Sequence, residues 1–239
     1  MSIQAVSPIQ NVQSALMSFP MNATDGQSTA RVMAVSSLHR KAPGEIVFAQ
    51  GDEQDNIYEV VRGMICLYKL LPDGRRQVTG FLSTGQLLPA SGIDGICAVT
   101  AEAVTDVTVC RYPRPAFERL IDEVPGFARR LLAMTSNELQ AAQDQMLLLG
   151  RKVAAEKVAS FLLLMAERQG VEVGTGSVDV PMTRADIADY LGLTVETVSR
   201  TFTRLKRDRL IDLPTPNLVR VRDPERLEEL AAGDSGPDF

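Results

Sequence analysis

Glu196, Ser199 and Arg200, within the run Thr194-Val-Glu-Thr-Val-Ser-Arg200, are the side chains whose types and spacing could do chemistry together. On a helix, steps of three and four bring them to one face. Arginine offers a planar fork of donors suited to guanine, glutamate accepts from a cytosine amino group, and a serine hydroxyl serves either kind of base edge. Val195, beside them, can pack inward or meet a thymine methyl in the groove. Such a face is suited to reading base pairs in duplex DNA. The blander reading is a solvated helix with an i,i+4 pair between Glu196 and Arg200. The surrounding pattern, more than the pair itself, favours the first reading.

That pattern is a pair of short helices. Thr183 is placed to cap the first, with Asp186 three residues on in the capping-box position. Gly192 allows a sharp turn, and Thr194 caps the second helix. Val198, Phe202 and Leu205 then fall on the core side of that helix, and Thr203 joins Glu196, Ser199 and Arg200 on the opposite side. Beyond it, residues 210–213 and 218–222 are joined by Pro214-Thr-Pro-Asn217. They read as a β-hairpin, a wing with Arg220 and Arg222 alternating outward. Charge follows the same division. Seven basic residues face Glu196, Asp208 and Asp212 over 194–222, whereas six acidic residues face only Arg226 over 223–239. A chain with net charge -5 therefore still carries a local basic patch.

The rest of the 239-residue chain must position this unit. Residues 1–30 are rich in Ser, Gln, Asn and Thr without a period, and read as a loosely ordered arm. Residues 31–126 read as an antiparallel β-roll or small barrel, because glycines punctuate short runs such as Glu45-Ile-Val-Phe48 and Ile57-Tyr-Glu-Val-Val61. Pro72-Asp73-Gly74 is its clearest turn, strands continue through Ala98 to Tyr112, and Pro113 and Pro115 end the sheet. Across 127–150, Leu132, Thr135, Leu139, Ala142, Met146 and Leu149 recur in steps of three and four between polar neighbours. So narrow a stripe has the character of a coiled-coil seam and predicts a dimerisation helix, Gly150 lying near its end. A second helix over 151–168 carries Val158, Phe161, Leu162 and Met165 inward and closes at Gly170. It opens a winged helix-turn-helix domain over 151–227, and residues 228–239 read as a solvated acidic tail. The predicted class is α+β.

Several functions are disfavoured. Cys66, Cys97 and Cys110 form no C-x-x-C pair and are odd in number, so they read as reduced, half-buried thiols. His39 is the single histidine and assembles no metal site. No nucleophile-base pair, metal cluster or phosphate loop points to an enzyme. No apolar run reaches the ~20 residues of a membrane helix, and the first ten residues lack the features of a secretory signal, so a cytoplasmic location without membrane partners is expected.

The run Thr-Arg-x-x-Ile-x-x-x-Leu-Gly-Leu-Thr-x-Glu-Thr-x-Ser-Arg over residues 183–200 resembles the CRP/FNR superfamily of bacterial regulators, and the resemblance extends over 31–227. Within it the Glu-x-x-Ser-Arg helix is similar to the FNR and FixK branch. That resemblance implies a homodimeric activator reading TTGA half-sites of a palindromic operator in double-stranded DNA, with RNA polymerase as a partner. It puts Glu196, Ser199, Arg200 and Val195 at base edges and Arg184, Thr194 and Thr197 at phosphates. Cyclic-nucleotide binders of the superfamily carry a Gly-Glu pair and an Arg where this chain has Pro89-Ala90 and Gly95. The oxygen-sensing branch carries an N-terminal cysteine cluster, and here no cysteine precedes Cys66. The FixK type, with no cofactor and with targets in low-oxygen metabolism or nitrogen fixation, is the resemblance that remains. The alternative is a ligand-responsive regulator whose β-roll takes an unidentified effector.

Overall fold

The computed structural model describes residues 34–88, 95–124 and 126–233. The expected arm at 1–30, the Pro89-Ala90 position and the last residues, 234–239, lie outside them. The chain divides into two compact units, residues 1–136 and 137–239.

The first unit is an antiparallel β-roll, as the class read from the sequence requires. Strands β1 (Ser37–Lys41), β7 (Val107–Pro113) and β3 (Asn56–Arg62) form one sheet in the order β1-β7-β3. Strands β2 (Ile46–Phe48), β6 (Thr100–Ala103), β4 (Ile65–Leu70) and β5 (Arg76–Leu82) form the other, in the order β2-β6-β4-β5. The period of two in β3 and β7 builds two cores at once. Val60, Val107 and Val109 point to one side and join Phe48, Ile65, Leu82 and Ala101. Ile57, Val61, Cys110 and Tyr112 point to the other side, toward Phe117, Leu120 and Phe127. Glu59 is buried on this second side, where its carboxylate accepts a 3.0 Å hydrogen bond from the Tyr112 hydroxyl. At the β3–β4 turn Gly63 has φ +92°, and an added Cβ would collide with the carbonyl of Asp106, so only glycine fits.

Three details of this unit differ from the sequence reading. Helix α1 (Arg114–Glu123) follows β7 directly. Pro113 and Pro115 do end the sheet, but Pro115 also opens this helix, where its missing N–H costs no bond. The strands expected from Ala98 to Tyr112 are β6 and β7. Thr105, within that stretch, is in neither strand: it lies in the turn between them and its hydroxyl accepts from the Met64 backbone N–H at 3.0 Å. All three cysteines are free and fully buried, not half-buried, and burial pushes the Cys97 and Cys110 thiols up.

Helix α2 (Phe127–Arg151) is the continuous helix that the heptad pattern predicts, and the division between the units falls within it. In the second unit Lys152 and Val153 are non-helical and separate the two helices, so α3 runs Ala154–Gln169, not from residue 151. Gly170 closes it in the left-handed conformation at φ +62°. Helices α4 (Arg184–Leu191) and α5 (Val195–Arg207) follow, then β9 (Ile211–Thr215) and β10 (Leu218–Val221). The hairpin is joined by a third strand that the sequence reading missed, β8 (Val178–Asp179), in the order β8-β10-β9. The acidic stretch from residue 228 is no solvated tail at its start. It lies in α6 (Pro224–Ala232), whose Leu227, Leu230 and Ala231 are buried at i, i+3 and i+4 while the acids face water.

Candidate nucleic-acid interface

Capping chemistry sets the start of both central helices. The Thr183 hydroxyl accepts from the Asp186 N–H at 3.1 Å, and the Asp186 carboxylate accepts from the Thr183 N–H at 2.9 Å. This closes the capping box read from the sequence. Gly192 ends α4 at φ +61°, and two residues later the Thr194 hydroxyl accepts from the Thr197 N–H at 3.2 Å to start α5. The two threonine hydroxyls lie 3.0 Å apart. Thr194 and Thr197 are thus engaged in the cap while Thr194 stays exposed.

Helix α5 divides sharply. Val198, Thr201, Phe202 and Leu205 are buried, while Glu196, Ser199, Arg200 and Thr203 are exposed together. Val195 is 41% exposed, which resolves its ambiguity in favour of the outer face. Arg200 does not form a side-chain pair with Glu196. Its Nε donates to the Glu196 backbone carbonyl at 3.4 Å. The Glu196 carboxyl is held below the usual range, first by its own backbone N–H in the first turn and then by the Thr194 hydroxyl, with the Arg200 charge adding to both. It is therefore a ready acceptor at neutral pH.

Arg184 stands at the first residue of α4, and its guanidinium carbon lies 3.5 Å from the centroid of the Phe202 ring. Loss of hydration pulls its pKa down. This stacking, a half-buried cation on a core aromatic, was not legible in the sequence. In the last turn of α5, Asp208 takes up basic charge through Arg207 at 2.9 Å and Arg204 at 3.6 Å. On the wing, Arg220 and Arg222 are exposed as expected, but the Arg222 Nε donates to the Asp212 carboxylate across the hairpin at 2.6 Å.

On α2 the seam is bare in the single chain. Leu132, Leu139 and Met146 are 67%, 61% and 71% exposed, and Leu149 is 37% exposed. Thr135 and Ala142 are exposed with them. Leu148, outside the stripe, is buried instead.

Residues 156–230 match the Crp-like helix-turn-helix domain, and residues 38–124 match the cyclic nucleotide-binding domain. The chain is 46% identical over 194 residues to the transcriptional activatory protein AadR of Rhodopseudomonas palustris, covering 81% of this chain and 80% of that protein. It is also 46% identical over 190 residues to the nitrogen fixation regulation protein FixK of Bradyrhizobium diazoefficiens, covering 79% of each. The chain belongs to the CRP/FNR family of transcription regulators, in its FixK-type branch. A solved FixK2 from Bradyrhizobium japonicum superposes with a TM-score of 0.75 at 38% identity, over 82% of this chain and 97% of that one. The CRP/FNR architecture of β-roll, long helix and C-terminal helix-turn-helix is therefore the fold of this chain, and these relatives are regulators, not enzymes. Among the described residues no group of His, Cys, Asp and Glu could hold a metal ion. No described helix is long and apolar enough to cross a membrane.

Proposed function

We propose that this CRP/FNR-family protein is a transcription activator that binds a TTGA-type palindrome as a homodimer, needs no bound cofactor and acts on RNA polymerase in the cytoplasm. The observation that carries the reading is the outer face of α5, where Val195, Glu196, Ser199 and Arg200 are all free to meet base edges while Val198, Phe202 and Leu205 anchor the helix from below. In this reading Arg200 takes guanine, Glu196 a cytosine amino group, Ser199 an adjacent edge and Val195 a thymine methyl. Arg184, Thr194 and Thr197 hold phosphates, the threonines from the N-terminus of α5. Residues 31–126 serve as the β-roll, 127–150 as the dimerisation helix through Leu132, Thr135, Leu139, Ala142, Met146 and Leu149, and 151–227 as the DNA-binding domain. The names of AadR and FixK support activation and a role in nitrogen fixation or related metabolism.

The deciding experiment is binding of the purified protein, in air, to a TTGA palindrome and to a scrambled duplex, with and without cyclic AMP. Preference for the palindrome without any addition is expected. The match of residues 38–124 to a nucleotide-binding domain favours a second reading, a ligand-responsive β-roll. Operator binding that appears only with cyclic AMP would establish it in place of the first.

A further inference from the structure

We propose that Phe202 is a positioning residue for Arg184, serving as a fixed aromatic platform that holds the guanidinium edge-on toward a DNA phosphate. The inference rests on the phosphate role given to Arg184 above, and adds a residue that does not itself touch DNA.

Phe202 is 2% exposed, on the core side of α5. Arg184 belongs to another element, α4, and its guanidinium carbon sits 3.5 Å from the Phe202 ring centroid, well inside the range of a cation-π contact. Among the described residues no hydrogen bond or ion pair engages Arg184, and no carboxylate contributes to the environment of its charge. A half-buried cation without an anion is incomplete. The ring satisfies one face of the guanidinium and leaves its in-plane N–H donors for an outside acceptor. Phosphate oxygens suit that fork, because they accept two parallel N–H bonds.

The geometry also ties two kinds of contact together. Phe202 lies two residues beyond Arg200 on the same helix, so the platform for the backbone contact is rigidly joined to the base-reading face. A free arginine would lose rotamer freedom on binding. One already stacked has lost most of it. Phosphate grip and base register are thereby set by one side chain in the core.

The test uses the full-length protein and four variants: F202L, which keeps an apolar core, R184A, R184K, and F202L with R184A. Each is first shown to melt cooperatively, then titrated with the TTGA palindrome and a scrambled duplex at several salt concentrations. R184A should weaken both duplexes and reduce the salt slope by about 0.9 for each phosphate lost. F202L should weaken both duplexes by about 3- to 5-fold per half-site with operator preference intact, and should add nothing in the R184A background. Wild-type affinity in folded F202L, or a loss that persists undiminished without Arg184, overturns the inference, since a purely structural phenylalanine would act regardless of the arginine. If R184A itself leaves affinity and salt slope unchanged, the phosphate role of Arg184 fails, and the platform with it, while base reading by Arg200 stands. Should F202L fail to fold, R184K decides. Lysine keeps the charge but has no plane to stack, so affinity should fall with the salt slope retained, and unchanged affinity counts against the platform.

Discussion

The buried Lys157 of α3 donates from Nζ to the backbone carbonyl of Leu191, the last residue of α4, at 3.1 Å. The final carbonyls of a helix have no partner within it and carry its negative dipole end, so an ammonium there satisfies both needs. Because Gly192 turns the chain immediately afterwards, this contact holds the corner from which α5 departs.

Lys157→Met should therefore destabilise the second unit by about 1 to 3 kcal/mol, the usual penalty for a buried acceptor left unmatched. Urea unfolding followed by circular dichroism measures it. A midpoint equal to that of the wild type would mean that water replaces the lysine at no loss.

Arg200→Ala should remove a guanine contact of about 1 to 3 kcal/mol in each half-site and relax discrimination at that base. Affinities for operator and scrambled duplexes give the comparison. If both fall equally and operator preference survives, Arg200 does not read a base.

Glu at both Leu139 and Met146 would place like charges in the exposed stripe of α2, where a partner's stripe would desolvate them. The variant should sediment as a monomer and lose operator affinity. A dimer mass in the folded variant would relocate the interface.

Cyclic AMP should produce no saturable heat in calorimetric titration and no change in operator affinity, if Gly95 stands, as the family resemblance implies, where cyclic-nucleotide binders carry an arginine for the phosphodiester. A micromolar isotherm coupled to tighter DNA binding would contradict the cofactor-free reading.

What could be read from the sequence was what local chemistry determines. Thr183 with Asp186, Gly192 and Thr194 announce their helix boundaries because each cap is made by residues within three positions of it. The inner and outer faces of α5 follow from a 3.6-residue period in the same way. Features that depend on distant partners were not visible. Strand β8 is two residues long and exists only because β10 pairs with it. Pro115 has the same identity whether it ends a sheet or begins a helix, and the Phe117, Leu120 and Ile121 spacing behind it was the signal that went unused. In α6, acidic side chains outweighed three small or apolar ones in composition, although spacing, not composition, reports a buried face. The Arg184–Phe202 stack joins positions 18 residues apart in different helices, beyond any local pattern.

The bare stripe of Leu132, Leu139 and Met146 bears on how such a protein could be controlled. If two chains must meet there before either can grip an operator, then below the dimerisation constant the active species grows with the square of chain concentration, by mass action. A threefold rise in synthesis would yield roughly ninefold more dimer. Promoter output would then track the supply of the protein steeply, and the rate of its own synthesis could serve as the signal that a bound effector supplies elsewhere.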